Sequence, residues 1–141
     1  DNDARAFLRG EWALGAGRGS RRVLLFTIGT GIGRAYGTKG RIRRMKKFES
    51  PVGWEGRYQR MRDGEDIRAL VALVGPKLAS IARRHPADVL IIGGGVMRRR
   101  GFFTHLRREL RKAGVHESVR QARLGEYSGA IGATLLFRKS A

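Results

Sequence analysis

An α/β domain is what this sequence predicts, and three observations predict it. Two short apolar runs, Val23-Leu24-Leu25-Phe26 and Val89-Leu90-Ile91-Ile92, have the continuous hydrophobicity of strands buried on both faces. A helical period is clearest over 66–84, where Ile67, Leu70, Val71, Val74, Leu78 and Ile81 recur at intervals of three and four. Strand and helix then alternate through the second half, the pattern of a sheet with helices layered on it. At 141 residues, 41% of them apolar, 1–141 is expected to form a single domain with a real core.

Taken in order, residues 4–14 read as a helix with Asp3 placed to cap its start, and Phe7, Leu8, Trp12 and Leu14 loosely sharing a face. The glycine-rich stretch 15–20 stops it. Residues 22–28 form the first strand. Residues 32–36 and 41–45 are predicted to pair as a hairpin turning through Gly37-Thr38-Lys39-Gly40. Residues 46–64 have no clean period and read as loop-rich. Asp66 caps or charges the start of the long helix 66–84, and Gly75-Pro76 predicts a kink or a split within it. The second buried strand, 89–92, leads to a helix over 102–113, with Phe103, Leu106 and Leu110 on one face and Gly114 ending it. An edge strand over 115–122 and an apolar helix over 127–137 close the domain. There is no internal repeat.

Composition narrows the function. The chain has no cysteine, which excludes disulfides, thiolate metal sites and a cysteine nucleophile. No apolar run approaches the roughly 20 residues that span a bilayer, and no secretory signal opens the chain, so a cytoplasmic protein without a membrane partner is expected. Thirty basic residues against twelve acidic ones give a net charge of +18. That charge fits an anionic partner (nucleic acid, polyphosphate or nucleotide), and it fits equally a solvated arginine-rich surface. The basic residues are spread along the chain, the nearest clusters being 41–47 and Arg98-Arg99-Arg100, and the aromatics do not interleave with them. This speaks against a nucleic-acid arm.

Both apolar runs end in glycine: Gly29-Thr30-Gly31-Ile32-Gly33 after the first, Gly93-Gly94-Gly95 after the second. Each loop alone also fits a tight turn or a strand-to-helix connection needing positive φ. Two such loops in one short chain point to a nucleotide or other polyphosphate held by bare backbone N–H groups between them.

These motifs, in this order, resemble the carboxy-terminal lobe of the ROK family (repressor, open reading frame, kinase), glucokinase-like sugar kinases and related repressors. Asn2-Asp3-Ala4 with Gly10-Glu11 is similar to the family's helix start, and Gly15-Ala16-Gly17 leads to the strand as it does there. Gly29-Thr30-Gly31-Ile32-Gly33 resembles its second phosphate loop, Ile91-Ile92-Gly93-Gly94-Gly95-Val96 its adenosine motif, and Ser128-Gly129-Ala130-Ile131-Gly132-Ala133 its closing helix. The resemblance implies an actin-like, ribonuclease-H-like ATPase lobe with a mixed sheet and flanking helices. It implies transfer of a γ-phosphoryl group to a sugar hydroxyl, in a cleft between two lobes, with ATP and Mg²⁺, and it suggests a homodimer.

The sequence departs from the family in three ways. The first phosphate motif, Asp-x-Gly-x-Thr, is missing, so the amino-terminal lobe is expected to be absent and Mg²⁺ to be held largely outside this chain. The cysteine-rich zinc motif is missing too, and His85, His105 and His116 are well separated, so no zinc is expected. In this the chain is similar to the family's polyphosphate-using glucokinases. The sugar-binding Glu-x-Gly-His is not clearly present. Glu49 and Glu55 lie in its region without the following histidine.

On the resemblance, Asp3 is the catalytic base that accepts the proton of the attacking hydroxyl, a role compatible with helix capping. Asn2, Glu49 and Glu55 are the candidate sugar contacts. Gly29, Thr30, Gly31 and Gly33 would cradle the β- and γ-phosphates, the loop preceding a hairpin rather than a helix. Gly93, Gly94 and Gly95 would let adenosine lie against backbone. Glu11 reads as structural, supporting the site or pairing with an arginine. Trp54 could stack on a sugar face or fill the core. Arg98 to Arg100 could reach phosphates or be solvated. The activity expected is a hexokinase or glucokinase using ATP or polyphosphate. The alternative is the sugar-sensing domain of a ROK-type repressor.

Overall fold

The computed structural model describes residues 2–43, 45 and 53–140, with the side chains of residues 2, 3, 126, 128 and 136–140 outside that description. At its centre β1 (Arg22–Ile28) pairs antiparallel with β2 (Ile32–Thr38) and parallel with β4 (Val89–Gly93). β3 (Arg41–Arg43) extends the antiparallel side and β5 (Ser118–Gln121) the parallel side, giving one mixed sheet in the order β3-β2-β1-β4-β5. The two apolar runs are its core strands, buried on both faces as their continuous hydrophobicity predicts.

Side chains alternate between the faces. Val23 and Leu25 of β1, with Val89 and Ile91 of β4, pack under α1 (Asn2–Leu14) through Ala4 and Leu8. Leu24, Phe26 and Ile28, with Leu90 and Ile92, face the opposite layer. That layer is α2 (Trp54–Asp63), α3 (Ile67–Arg84) and α4 (Phe102–Lys112). α5 (Ser128–Ser140) packs on α1. α4 divides cleanly: Phe102, Leu106 and Leu110 are buried, while Arg107, Arg108, Arg111 and Lys112 are exposed. No helix among the described residues is long and apolar enough to cross a membrane.

Four expectations are corrected. The first helix starts at Asn2, so Asp3 sits within its first turn instead of capping it. Part of 46–64 is helical: α2 forms although only Trp54 and Tyr58 are buried along it, because those two rings stack, with centroids 5.6 Å apart, and root it in the core. Pro76 does not split α3. Eight buried residues hold that helix, and Pro76 stands on its exposed side with Ala72, where the missing proline N–H faces solvent. The hairpin turns over Lys39-Gly40 alone, both at positive φ, which lengthens β2 to Thr38. Asp66 does cap α3, its Oδ1 accepting from the Ala69 amide at 3.0 Å.

Candidate functional site

Because β1 and β4 run parallel, their carboxy ends lie on one edge of the sheet, and the two glycine segments leave that edge side by side. A methyl group built on Gly29 would come within 3.9 Å of the Gly95 amide nitrogen. The first loop links β1 to β2 and is closed internally by the Gly29 amide donating to Gly31 O at 3.0 Å. Its other carbonyls point to α2. Tyr58 Oη donates to Gly29 O at 2.6 Å, Gln59 Nε2 to Thr30 O at 2.6 Å, and Arg62 Nη1 to Thr30 O at 3.0 Å. Asp63 aligns the Arg62 guanidinium, its Oδ1 accepting from Nε at 3.0 Å.

The second loop is held by absence of side chain. Gly94 has φ of +101°, and a Cβ there would overlap Ile28 O and fall 2.6 Å from Ile28 N, so this glycine is required by both conformation and space. A Cβ on Gly93 would meet the Phe7 ring at 2.7 Å. Gly95 and Gly31 instead leave open space where a side chain would stand. Along the second loop runs a cleft of about 290 Å³ lined by Phe7, Gly93, Gly94, Gly95, Met97, Arg98, Gln121, Ala122 and Gly125. One wall of it hangs on Glu11. This carboxylate is fully buried, and accepts from the amides of Ala16 (3.0 Å), Arg123 (2.8 Å) and Leu124 (2.8 Å). Glu11 is thus a supporting residue, as expected, acting through backbone.

Gly29, Thr30, Gly31, Gly93, Gly94 and Gly95 are therefore brought together. Gly33 lies outside the turn, within β2, where a Cβ would crowd Thr27 Oγ1 and approach Ala4 Cβ at 3.2 Å. That close approach puts the start of α1, and the backbone of Asn2 and Asp3, at the same end of the sheet as the loops. The side chains of Asn2 and Asp3, and all of Glu49, lie outside the described residues. Glu55 is exposed on the first turn of α2. Trp54, offered as a sugar platform, is buried against Tyr58 and belongs to the core. Arg99 is also structural, its Nη1 donating to Arg62 O at 2.9 Å. Tyr58, Gln59 and Arg62 escape sequence reasoning, since nothing local links them to a loop some thirty residues earlier.

A second hollow, of about 700 Å³, opens at the other end of the sheet between Trp12, Arg21, Arg22, Lys39 and Asp88. It is larger, but it lies at the amino ends of β1 and β4, with the Lys39-Gly40 turn on its wall, and Arg22 there is bonded to Asp88 at 3.3 Å. The Arg22 amide, foremost, holds the exposed Asp88 carboxyl below the usual carboxylate range.

Burial pushes the Tyr58 hydroxyl up from 10 to about 12, with Arg62 opposing and Asp63 adding to the shift. The folded value lies above the unfolded one, so this contribution to stability is complete below pH 10 and is lost as pH rises toward about 12. In that window the wild type is expected to lose stability more steeply than Tyr58→Phe in denaturant titrations. Parallel pH profiles would contradict this.

No protein-family model and no curated protein matches the chain. Solved structures do. A ROK family glucokinase from Streptomyces griseus, in complex with glucose and AMPPNP, superposes with a TM-score of 0.80 at 24% identity, over 97% of this chain and 67% of that one. The ROK hexokinase of Thermus thermophilus gives 0.74 at 24%, over 99% and 65%. The inorganic polyphosphate/ATP-glucomannokinase of Arthrobacter sp. strain KM gives 0.77 at 24%, over 99% and 56%. The chain thus has the α/β, actin-like ATPase fold of ROK sugar kinases, and spans between about half and two thirds of their length.

Proposed function

We propose that this chain is the nucleotide- and sugar-binding lobe of a hexokinase that transfers the γ-phosphoryl group of ATP, or a terminal phosphoryl group of polyphosphate, to a hexose, glucose foremost. The observation that carries this reading is the meeting of two glycine-rich loops at the carboxy ends of parallel β1 and β4, with α1 starting beside them. In this reading the amides of Thr30 and Gly31 receive the β- and γ-phosphates of a triphosphate, and Gly93, Gly94 and Gly95 lie against adenosine and ribose. Glucose with AMPPNP in the Streptomyces griseus structure, and polyphosphate with ATP in the name of the Arthrobacter enzyme, support the two substrate classes.

In this reading the Asp3 carboxylate orients the acceptor hydroxyl and takes its proton. The hydroxyl oxygen bonds to the γ-phosphorus as the bridge to the β-phosphate breaks and leaves with the nucleoside diphosphate. Asn2, Glu49 and Glu55 contact the sugar. Bound Mg²⁺ would neutralise charge building on the phosphates. Among the described residues no three His, Asp or Glu side chains converge. A reaction that draws on ATP and free hexose belongs in the cytoplasm.

The test is a coupled assay on the complete gene product with glucose, Mg²⁺ and either ATP or polyphosphate, beside Asp3→Asn. Turnover is expected, reduced about 10²- to 10⁴-fold by the substitution with the melting temperature unchanged. Glucose binding without turnover on either donor would overturn the kinase reading and favour a sugar sensor.

A further inference from the structure

We propose that α2 is the positioning element of the phosphate loop, and that Gln59 and Arg62, with Tyr58 behind them, set the direction in which that loop presents its amides. This rests on the phosphate-binding reading of Gly29-Thr30-Gly31. One helix sends three side-chain donors to two adjacent carbonyls, those of Gly29 and Thr30, at 2.6 to 3.0 Å, with a longer fourth contact from Arg62 to Gly29 O at 3.5 Å. In a trans peptide the carbonyl of one residue and the N–H of the next point opposite ways. Drawing Gly29 O and Thr30 O toward α2 therefore turns the N–H groups of Thr30 and Gly31 away from it, toward the side of the sheet where α1 begins.

Without α2 the two peptide units would be free to flip, because the flanking Gly29 and Gly31 impose little of their own. An anion site whose dipoles must reorient on binding is weaker than one already oriented. The donors are also arranged so as not to compete for the anion. Arg62 spends its Nε and Nη2 on Asp63, at 3.0 and 3.4 Å, and its Nη1 on the loop, so its charge is offset and it acts through the loop rather than on the ligand. The same residue ties the loops together: Arg99, which follows the second glycine segment, donates to Arg62 O at 2.9 Å. A movement of α2 would thus be felt in both halves of the donor site.

The experiment uses the complete gene product and inorganic tripolyphosphate as the probe, with calorimetry as the readout, so that phosphate binding is measured apart from catalysis. Gln59→Leu/Arg62→Met removes two donors and keeps side-chain bulk, while Arg62→Lys retains one donor. The double variant is expected to bind tripolyphosphate about tenfold more weakly, with an unchanged melting temperature and unchanged glucose affinity, and Arg62→Lys to fall between. Unchanged tripolyphosphate affinity in the folded double variant would overturn the proposal. If the double variant melts early, the comparison is made with Arg62→Lys and Tyr58→Phe, and wild-type affinity in both overturns it equally. A wild type that binds tripolyphosphate but does not phosphorylate glucose would sink the kinase reading alone. A wild type that binds none sinks both.

Discussion

Replacing Gly132 by alanine is expected to cost about 3 kcal/mol or more of folding stability, because the clash it creates is with backbone. α5 crosses α1 at this residue. A Cβ there would overlap the Ala6 carbonyl oxygen, fall 2.7 Å from its carbon and lie 3.1 Å from the Gly10 nitrogen. No rotamer change relieves such a contact, so the two helices must separate. α1 would then lift from Val23, Leu25 and Ile91, which Ala4 and Leu8 cover. Since α1 begins with Asn2 and Asp3, the shift reaches the glycine-loop end of the sheet as well. Thermal melts should show the loss for Gly132→Ala and near-wild-type behaviour for Ala133→Ser, one residue on and exposed. Equal melting temperatures for the two variants would mean that the helices do not meet as closely as described.

Glu11→Ala is expected to be as damaging for a different reason. It strands three N–H groups, at Ala16, Arg123 and Leu124, that a fully buried carboxylate now satisfies. Each buried donor left without an acceptor costs about 1–3 kcal/mol, so a total of about 3 kcal/mol or more should appear in urea titrations. Glu11→Gln should fall between, because its oxygen can still accept while its NH₂ opposes one of the amides. A loss below about 1 kcal/mol for the alanine variant would show that water replaces the carboxylate. The segment that Glu11 holds carries Ala122 and Gly125 into the cleft. Donor affinity should therefore fall in any Glu11 variant that stays folded.

What the sequence disclosed follows the range of the forces involved. β1 was legible to its ends because burial on both faces leaves an unbroken apolar run, Val23 to Phe26, that no solvent-facing element has. α3 was legible for the complementary reason, eight buried residues at helical spacing. α2 was not: its two buried rings are too few to make a period, and what fixes it is bonding to carbonyls far back in the chain. That α3 runs unsplit through Gly75-Pro76 reflects packing that overrides local propensity. Both glycine loops stood out as strand ends. That they meet depends on β1 pairing parallel with β4, across some sixty residues, which no local pattern dictates. Glu11 could be singled out, but its partners Arg123 and Leu124 lie more than a hundred residues away. Trp54, by contrast, looked available to a sugar only because its stack with Tyr58 is invisible until α2 is seen as a helix.

The central claim is that the two glycine loops jointly hold the phosphoryl donor. The most direct measurement is a crystal structure of the complete gene product with a non-hydrolysable ATP analogue and glucose. Phosphate oxygens are expected on the amides of Thr30 and Gly31, adenosine along Gly93 to Gly95, and a glucose hydroxyl within hydrogen-bond reach of Asp3. Phosphates seated instead among Arg21, Arg22 and Lys39, at the far end of the sheet, would contradict it.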